Sequence, residues 1–234
     1  MNIFKSSEKE NQWITISNLI SIFMMIFLFL SIIHIGNTIL KQKRITSIAQ
    51  SYEKTQEGIN NDLKQEFAKN FQTWNAALDS LTLSIRFENP EILFQVGSAE
   101  LNNHFKNILD NFFPRFIQIL TDPKYKNYIE EIRIEGHTSS EWVGESSLRQ
   151  AYFYNMELSQ NRTRKVLEYI LSKIEDENLF DWTKRKLTAN GLSSSKLIYN
   201  SDQTENKERS RRVEFKIKTN AEKQIIRILK ENKE

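Results

Sequence analysis

Ile129-Glu-Glu-Ile-Arg-Ile-Glu-Gly136 runs directly into His137-Thr138, and the reading of this stretch decides the reading of its neighbours. From Ile132 onward apolar and charged residues alternate, the period of a half-buried strand, and Gly136 closes it. Upstream, Ser80-Leu-Thr-Leu-Ser-Ile-Arg-Phe-Glu88 alternates in the same manner, and Asn89-Pro90 ends it. Downstream, Leu187-Thr-Ala-Asn-Gly191 makes a short third strand, and Arg211-Arg-Val-Glu-Phe-Lys-Ile-Lys218 a fourth. Between the strands the period changes to threes and fours. Leu101, Phe105, Ile108, Leu109, Phe112 and Phe116 describe one amphipathic helix, and Asn155–Lys173, with Met156, Val166 and Ile170, a second. Ala221–Lys233 carries Ile225, Ile226 and Leu229 on one side of a terminal helix. Helices interleaved with a small sheet predict a two-layer α+β sandwich over 81–219, followed by a C-terminal helix over 220–234.

The N-terminal third is different in kind. Residues 1–12 are a polar tail, and Ile14–Ile35 reads ITISNLISIFMMIFLFLSIIHI without an acidic or basic charge. At about 1.5 Å per residue, this run reaches roughly 33 Å, enough to cross a hydrocarbon core. Apolar side chains cover nearly the whole circumference, unlike a helix buried on one face of a soluble core, and Trp13 sits at the edge as an interfacial anchor. The run is too long for a signal-peptide core and lacks a small-x-small cleavage site, so 13–36 reads as an uncleaved transmembrane helix in the lipid bilayer. Residues 37–80 read as a helical linker with one apolar stripe: Ile59, Leu63, Phe67, Phe71, Trp74, Leu78 and Leu81. That stripe fits pairing with a second copy of the chain or packing on the following domain equally well.

Composition limits the functional classes. The 234 residues carry 33 Lys and Arg against 30 Asp and Glu, a net charge of +3 spread along the chain, with no basic stripe for nucleic acid. There is no cysteine, which removes disulfides and thiolate metal sites. His137 has no second histidine or cysteine near it in sequence, and no nucleophile elbow or phosphate loop occurs, so neither a metal, a cofactor nor a catalytic residue is expected.

Three fragments, in order, resemble the OmpA-like peptidoglycan-binding domain. They are Phe94-Gln-Val-Gly97-Ser98-Ala99-Glu100-Leu101; Ile132-Arg-Ile-Glu-Gly136-His137-Thr138 with Tyr154-Asn155-Met-Glu-Leu158-Ser159-Gln-Asn-Arg162; and Asn190-Gly191 with Glu208-Arg-Ser-Arg211-Arg212-Val213-Glu214. The resemblance implies a ligand, the diamino acid of a peptidoglycan stem, which presents both a carboxylate and an ammonium group. It makes Arg162 the carboxylate clamp and Asn155, one side of the same helix two turns away, a supporting hydrogen-bonder. Thr138 and Arg211 belong to the same motifs and are expected at the site. The family has aspartate after Gly-His-Thr to accept the ammonium; here that position is Ser139, which brings no charge. Glu141 and Glu145, in the same loop, are the candidate substitutes. The loop over 139–154 is longer than the family's and is decorated by Trp142, Tyr152 and Phe153.

A signal-anchor followed by this domain is similar to the B subunits of ion-driven stators, such as those of the flagellar motor and of the Zorya antiviral defence. The local match is Trp13-Ile-Thr-Ile-Ser17-Asn18-Leu19-Ile20-Ser21, followed by Met24-Met25-Ile-Phe-Leu-Phe. In that family an aspartate carries the proton where this chain has Asn18. Asparagine cannot titrate but can hydrogen-bond across helices, for about 1 kcal/mol. Three readings are open: an inactive or uncoupled relative, a protonation step moved elsewhere, or an engineered replacement. Lys5 and Lys9 before the span, against Lys41, Lys43 and Arg44 after it, mildly favour a cytoplasmic C-terminus. A wall-gripping domain requires the reverse: an inner-membrane, single-pass chain with a cytoplasmic N-terminus and a periplasmic domain. The resemblance further implies a homodimer inside a ring of multi-span A subunits of the MotA or ZorA kind. Motility and phage defence are not separated by these residues, and the departures favour a defence-type complex. The competing functions are a passive envelope tether and, with no catalytic constellation behind it, a wall-cleaving enzyme.

Overall fold

The computed structural model describes residues 3–89, 93–95, 98–142, 144, 146–220, 223, 226 and 230, with side chains from Trp13 onward. Two compact units emerge, Met1–Gln50 with Gln224–Glu234, and Ser51–Lys223. The polar tail's side chains, Gly97, Glu145 and most of the terminal helix expected over 220–234 lie outside the described residues.

The first unit is dominated by α1, Ile3–Phe67, whose last turns belong to the second unit. From Trp13 the apolar side chains of this helix are exposed: Phe23, Met24, Phe27, Leu28 and Ile33 each show half or more of their surface. A stretch of mean hydropathy 2.5 with none of its length buried is long and apolar enough to cross a membrane.

In the second unit, α1 does not run on to residue 80 as its stripe predicted. Its helix stops at Phe67. A turn follows, Asn75 adopts a left-handed φ of 49°, and Ala76–Asp79 forms a strand, β1. The Asp79 carboxylate then accepts from the backbone N–H of Leu81 (3.0 Å) and Thr82 (3.1 Å), an Asx-type turn that feeds β2, Ser84–Glu88. The strand expected over 80–88 is therefore shortened to Ser84–Glu88, it pairs antiparallel with a strand, β1, that falls within the expected linker, and Leu81 is a turn residue left 90% exposed. Ile59, Leu63 and Phe67 are fully buried in the domain's own core, so these stripe residues pack on the following domain and do not face a second copy. Ion pairs Lys124–Asp62 (2.7 Å) and Arg115–Glu66 (2.6 Å) and the Tyr125 hydroxyl donating to Asp62 (3.0 Å) tie the helix end down.

The remaining elements are α2 (Asn103–Thr121), β3 (Ile129–His137), α3 (Leu148–Leu171), α4 (Glu177–Lys186), β4 (Leu187–Gly191), α5 (Lys207–Ser210) and β5 (Arg212–Thr219). The five strands form one sheet in the order β1-β2-β5-β3-β4; only β3 and β4 are parallel, joined through α3 and α4. This is the expected α+β class. The core is aromatic: Phe112 on α2 lies 4.9–6.2 Å, centroid to centroid, from Phe67, Trp74, Phe87, Phe116 and Phe215. Its facing residues are those that alternate inward, Ile132 and Ile134 on β3 and Val213, Phe215 and Ile217 on β5. The alternate residues put charge on the other face of the sheet.

Candidate functional site

Two glycines let α3 lie close on the sheet. A methyl group added at Gly136 would stand 2.9 Å from the Ser159 carbonyl, and at Gly191 2.3 Å from the Gln160 amide nitrogen, so larger residues would push the helix away. The helix starts earlier than expected. Ser147 and Gln150 form a reciprocal capping box, and α3 begins at Leu148, so the second part of the long loop, 148–154, is about two extra helical turns. Tyr152, Phe153 and Tyr154 are therefore helical residues, all exposed.

Asn155 is buried, at 3% exposure, and its amide donates to the backbone carbonyls of Ser139 (3.3 Å) and Glu141 (2.9 Å). It was expected as a supporting hydrogen-bonder, and its amide supports the backbone of the 139–141 loop. Thr138 and Ser139 are each 4% exposed; the Thr138 amide donates to the Ser193 carbonyl (3.0 Å), and its hydroxyl is buried without a partner among the described residues. Ser139 is thus a walled-in position rather than an open acceptor. Glu141 is exposed and ion-paired to Lys207, which makes it a weak stand-in for the family's aspartate. Glu205 was not foreseen: it is half-buried, and its carboxylate accepts the amide (3.0 Å) and hydroxyl of Ser140, the residue after Ser139. The contact spans 65 residues, and no local pattern announces it.

Two helical turns from Asn155, about 10 Å along α3, Arg162 is half-buried. Its Nε donates to the Ser98 carbonyl (3.0 Å) and its guanidinium carbon lies 4.8 Å from the centre of the Phe94 ring. Stacking and one hydrogen bond fix the plane of the guanidinium. Burial, with the Arg211 cation adding to it, pushes Arg162 down to about 10. No carboxylate among the described residues pairs with Arg162. A guanidinium held in a fixed plane with donors to offer can receive a carboxylate. The structure brings Arg162 and Arg211 together, and Asn155 together with the 139–141 backbone; these are neighbouring clusters along one helix.

The charged face of the sheet holds Glu135, His137 and Glu214, all buried, with donor atoms within 4.8 Å of one another. The geometry could hold a metal ion, but Arg212 (2.5 Å) and Arg86 (3.1 Å) already engage Glu214 Oε1 and neutralise it. Burial opposes ionisation of Glu214; the Arg212 hydrogen bond and surrounding cations outweigh it and hold the carboxyl at about 2. Burial pushes His137 below its ordinary range, against the pull of Glu135, whose carboxylate is 3.7 Å from Nε2. The ensemble is a buried ion network.

In α1, Asn18 is exposed along with its neighbours, and the Ser21 hydroxyl donates to the Ser17 carbonyl (2.9 Å). No acid occurs from residue 11 to residue 52; His34 is the one ionisable side chain within 14–35.

Residues 93–211 match the OmpA family. The chain is 43% identical over 227 residues, 97% of its length, to the Zorya protein ZorB of Escherichia coli, 96% of which is covered. Among solved structures it resembles a MotB-like protein from Desulfovibrio vulgaris (22% identity, 72% of this chain and 95% of that one, TM-score 0.49). It also resembles the cell wall anchor of the T6SS from Pseudomonas aeruginosa (20% identity, 67% and 96%, TM-score 0.46).

Proposed function

Because the chain belongs to the OmpA family and to the family of the Zorya protein ZorB, we propose that it is the wall-gripping B subunit of a stator-like membrane complex of the defence type. The observation that carries this reading is the match to ZorB, which runs from end to end and so includes both the apolar helix and the OmpA domain. In this reading α1 anchors a single-pass protein in the inner membrane with its N-terminus in the cytoplasm. The folded domain stands in the periplasm, where Arg162 and Arg211 receive the carboxylate of a peptidoglycan stem. Its role is mechanical rather than catalytic: two copies hold a ring of multi-span A subunits against the wall.

Asn18 favours a second reading of the membrane half. An amide cannot carry a proton, so this span supports assembly through interhelical hydrogen bonding, and the complex is an uncoupled relative or a plain tether. Co-expression with a multi-span A subunit of the ZorA kind tests the proposal. Copurification of the two in mild detergent, lost when the apolar helix is exchanged for an unrelated span, is the expected result. A chain that purifies alone under the same conditions would contradict the stator role and leave the tether.

A further inference from the structure

Trp142 and Tyr154 stand with ring centroids 5.2 Å apart and planes at 39°, and Tyr154 is 44% exposed. Two interactions hold this pair in place. Asn155 fixes the Glu141 carbonyl, immediately before Trp142, and the Glu141–Lys207 ion pair pins the loop from the other side. Tyr154, Leu158 and Arg162 follow one another at steps of four, so the aromatic pair and the guanidinium share one side of α3, eight residues or about 12 Å apart. Phe153, by contrast, lies on the helix's far side.

Trp142 is half-buried and Tyr154 exposed, and a preorganised aromatic pair that reaches the surface marks a binding surface. We propose that Trp142 and Tyr154 form a platform for a sugar ring of the peptidoglycan glycan strand, next to the Arg162 that receives the stem. This inference rests on the wall-binding reading. The diamino acid is the stem's third residue, and the first is joined to the sugar; three extended residues reach about 10 Å. A stem clamped at Arg162 therefore brings its sugar to the rings. The C–H face of a pyranose packs on an aromatic face, while the tyrosine hydroxyl and indole N–H at the rim meet its hydroxyl and acetamido groups. The polar neighbours Glu141 and Lys207 suit a hydrated sugar better than an apolar protein partner.

Titration of the full-length chain in detergent with two probes tests this: a disaccharide-tetrapeptide muropeptide, and the same diaminopimelate-containing tetrapeptide without sugar. The wild-type chain is expected to prefer the muropeptide by about fivefold, the equivalent of one good ring contact. Trp142→Ala and Tyr154→Ala bring that ratio near one, Trp142→Phe keeps most of it, and Arg162→Ala weakens both probes together. A wild-type ratio of one overturns the platform, as does an equal loss of both probes in Trp142→Ala. The same holds if the aromatic variants keep the ratio and lose only a copurifying protein. Failure of the wild-type chain to bind either probe would overturn the wall-binding reading itself, a distinct result.

Discussion

Asn155 on α3 donates its amide to the Glu141 carbonyl at 2.9 Å, so the side chain that family resemblance makes a supporting hydrogen-bonder supports the protein's own loop. With the same nitrogen 3.3 Å from the Ser139 carbonyl, one buried amide holds both ends of the segment in which the family keeps its acid. Asn155→Ala is expected to lower stability by about 1–3 kcal/mol, because two carbonyls lose a buried donor. Denaturant unfolding of the full-length chain measures it; the variant should also lose the muropeptide preference before it loses stem binding.

Gly191 constrains the proposed ligand site from beneath. Its absent side chain lets the Gln160 backbone of α3 approach to where a Cβ would stand at 2.3 Å. Gly191→Ala should cost about 1–3 kcal/mol through overpacking and weaken wall binding, since Arg162 rides on the displaced helix. A variant as stable and as tightly bound as wild type would show that α3 moves freely on the sheet.

Stability should fall in acid in two windows. Glu214 is held at about 2 when folded, below its unfolded value, so its contribution is complete above the ordinary carboxyl range and is lost as pH falls toward 2. That contribution is on the order of 3 kcal/mol. His137 is pushed below its ordinary value in the folded state, so protonation favours the unfolded chain, and stability declines as pH falls below about 6.5. Melting temperatures from pH 8 to pH 3 check both: His137→Gln should flatten the upper window and Glu214→Gln the lower.

In the membrane segment, Asn18→Asp restores a titratable group where this chain has an amide. If the surrounding helix keeps the geometry of an ion path, vesicles holding the variant together with its multi-span partner should leak protons faster than those with the wild-type complex. A dye-monitored pH gradient that decays at the same rate in both would assign Asn18 to assembly alone.

Much of the domain was legible because its strands alternate cleanly. Ile132 and Ile134 on β3, and Val213, Phe215 and Ile217 on β5, point inward as their period requires. β1 was not legible, because Trp74 and Leu78 fall at helical spacing and only pairing with β2 and the Asp79 turn make Ala76–Asp79 a strand. The early start of α3 had a readable signal, Ser147 with Gln150 three residues on, but the aromatic run after it has no clean period. Arg162 could be picked out through its motif. The burial of Asn155 and Ser139, and the arrival of Glu205, depend on contacts between distant segments and could not be.

Cosedimentation of the detergent-solubilised full-length chain with purified sacculi, beside Arg162→Ala, tests the wall-gripping claim most directly. The wild-type chain is expected in the pellet and the variant in the supernatant, with both showing the same unfolding transition. A folded wild-type chain that stays in the supernatant, or an Arg162→Ala chain that pellets as well as wild type, would contradict the claim that this guanidinium grips the wall.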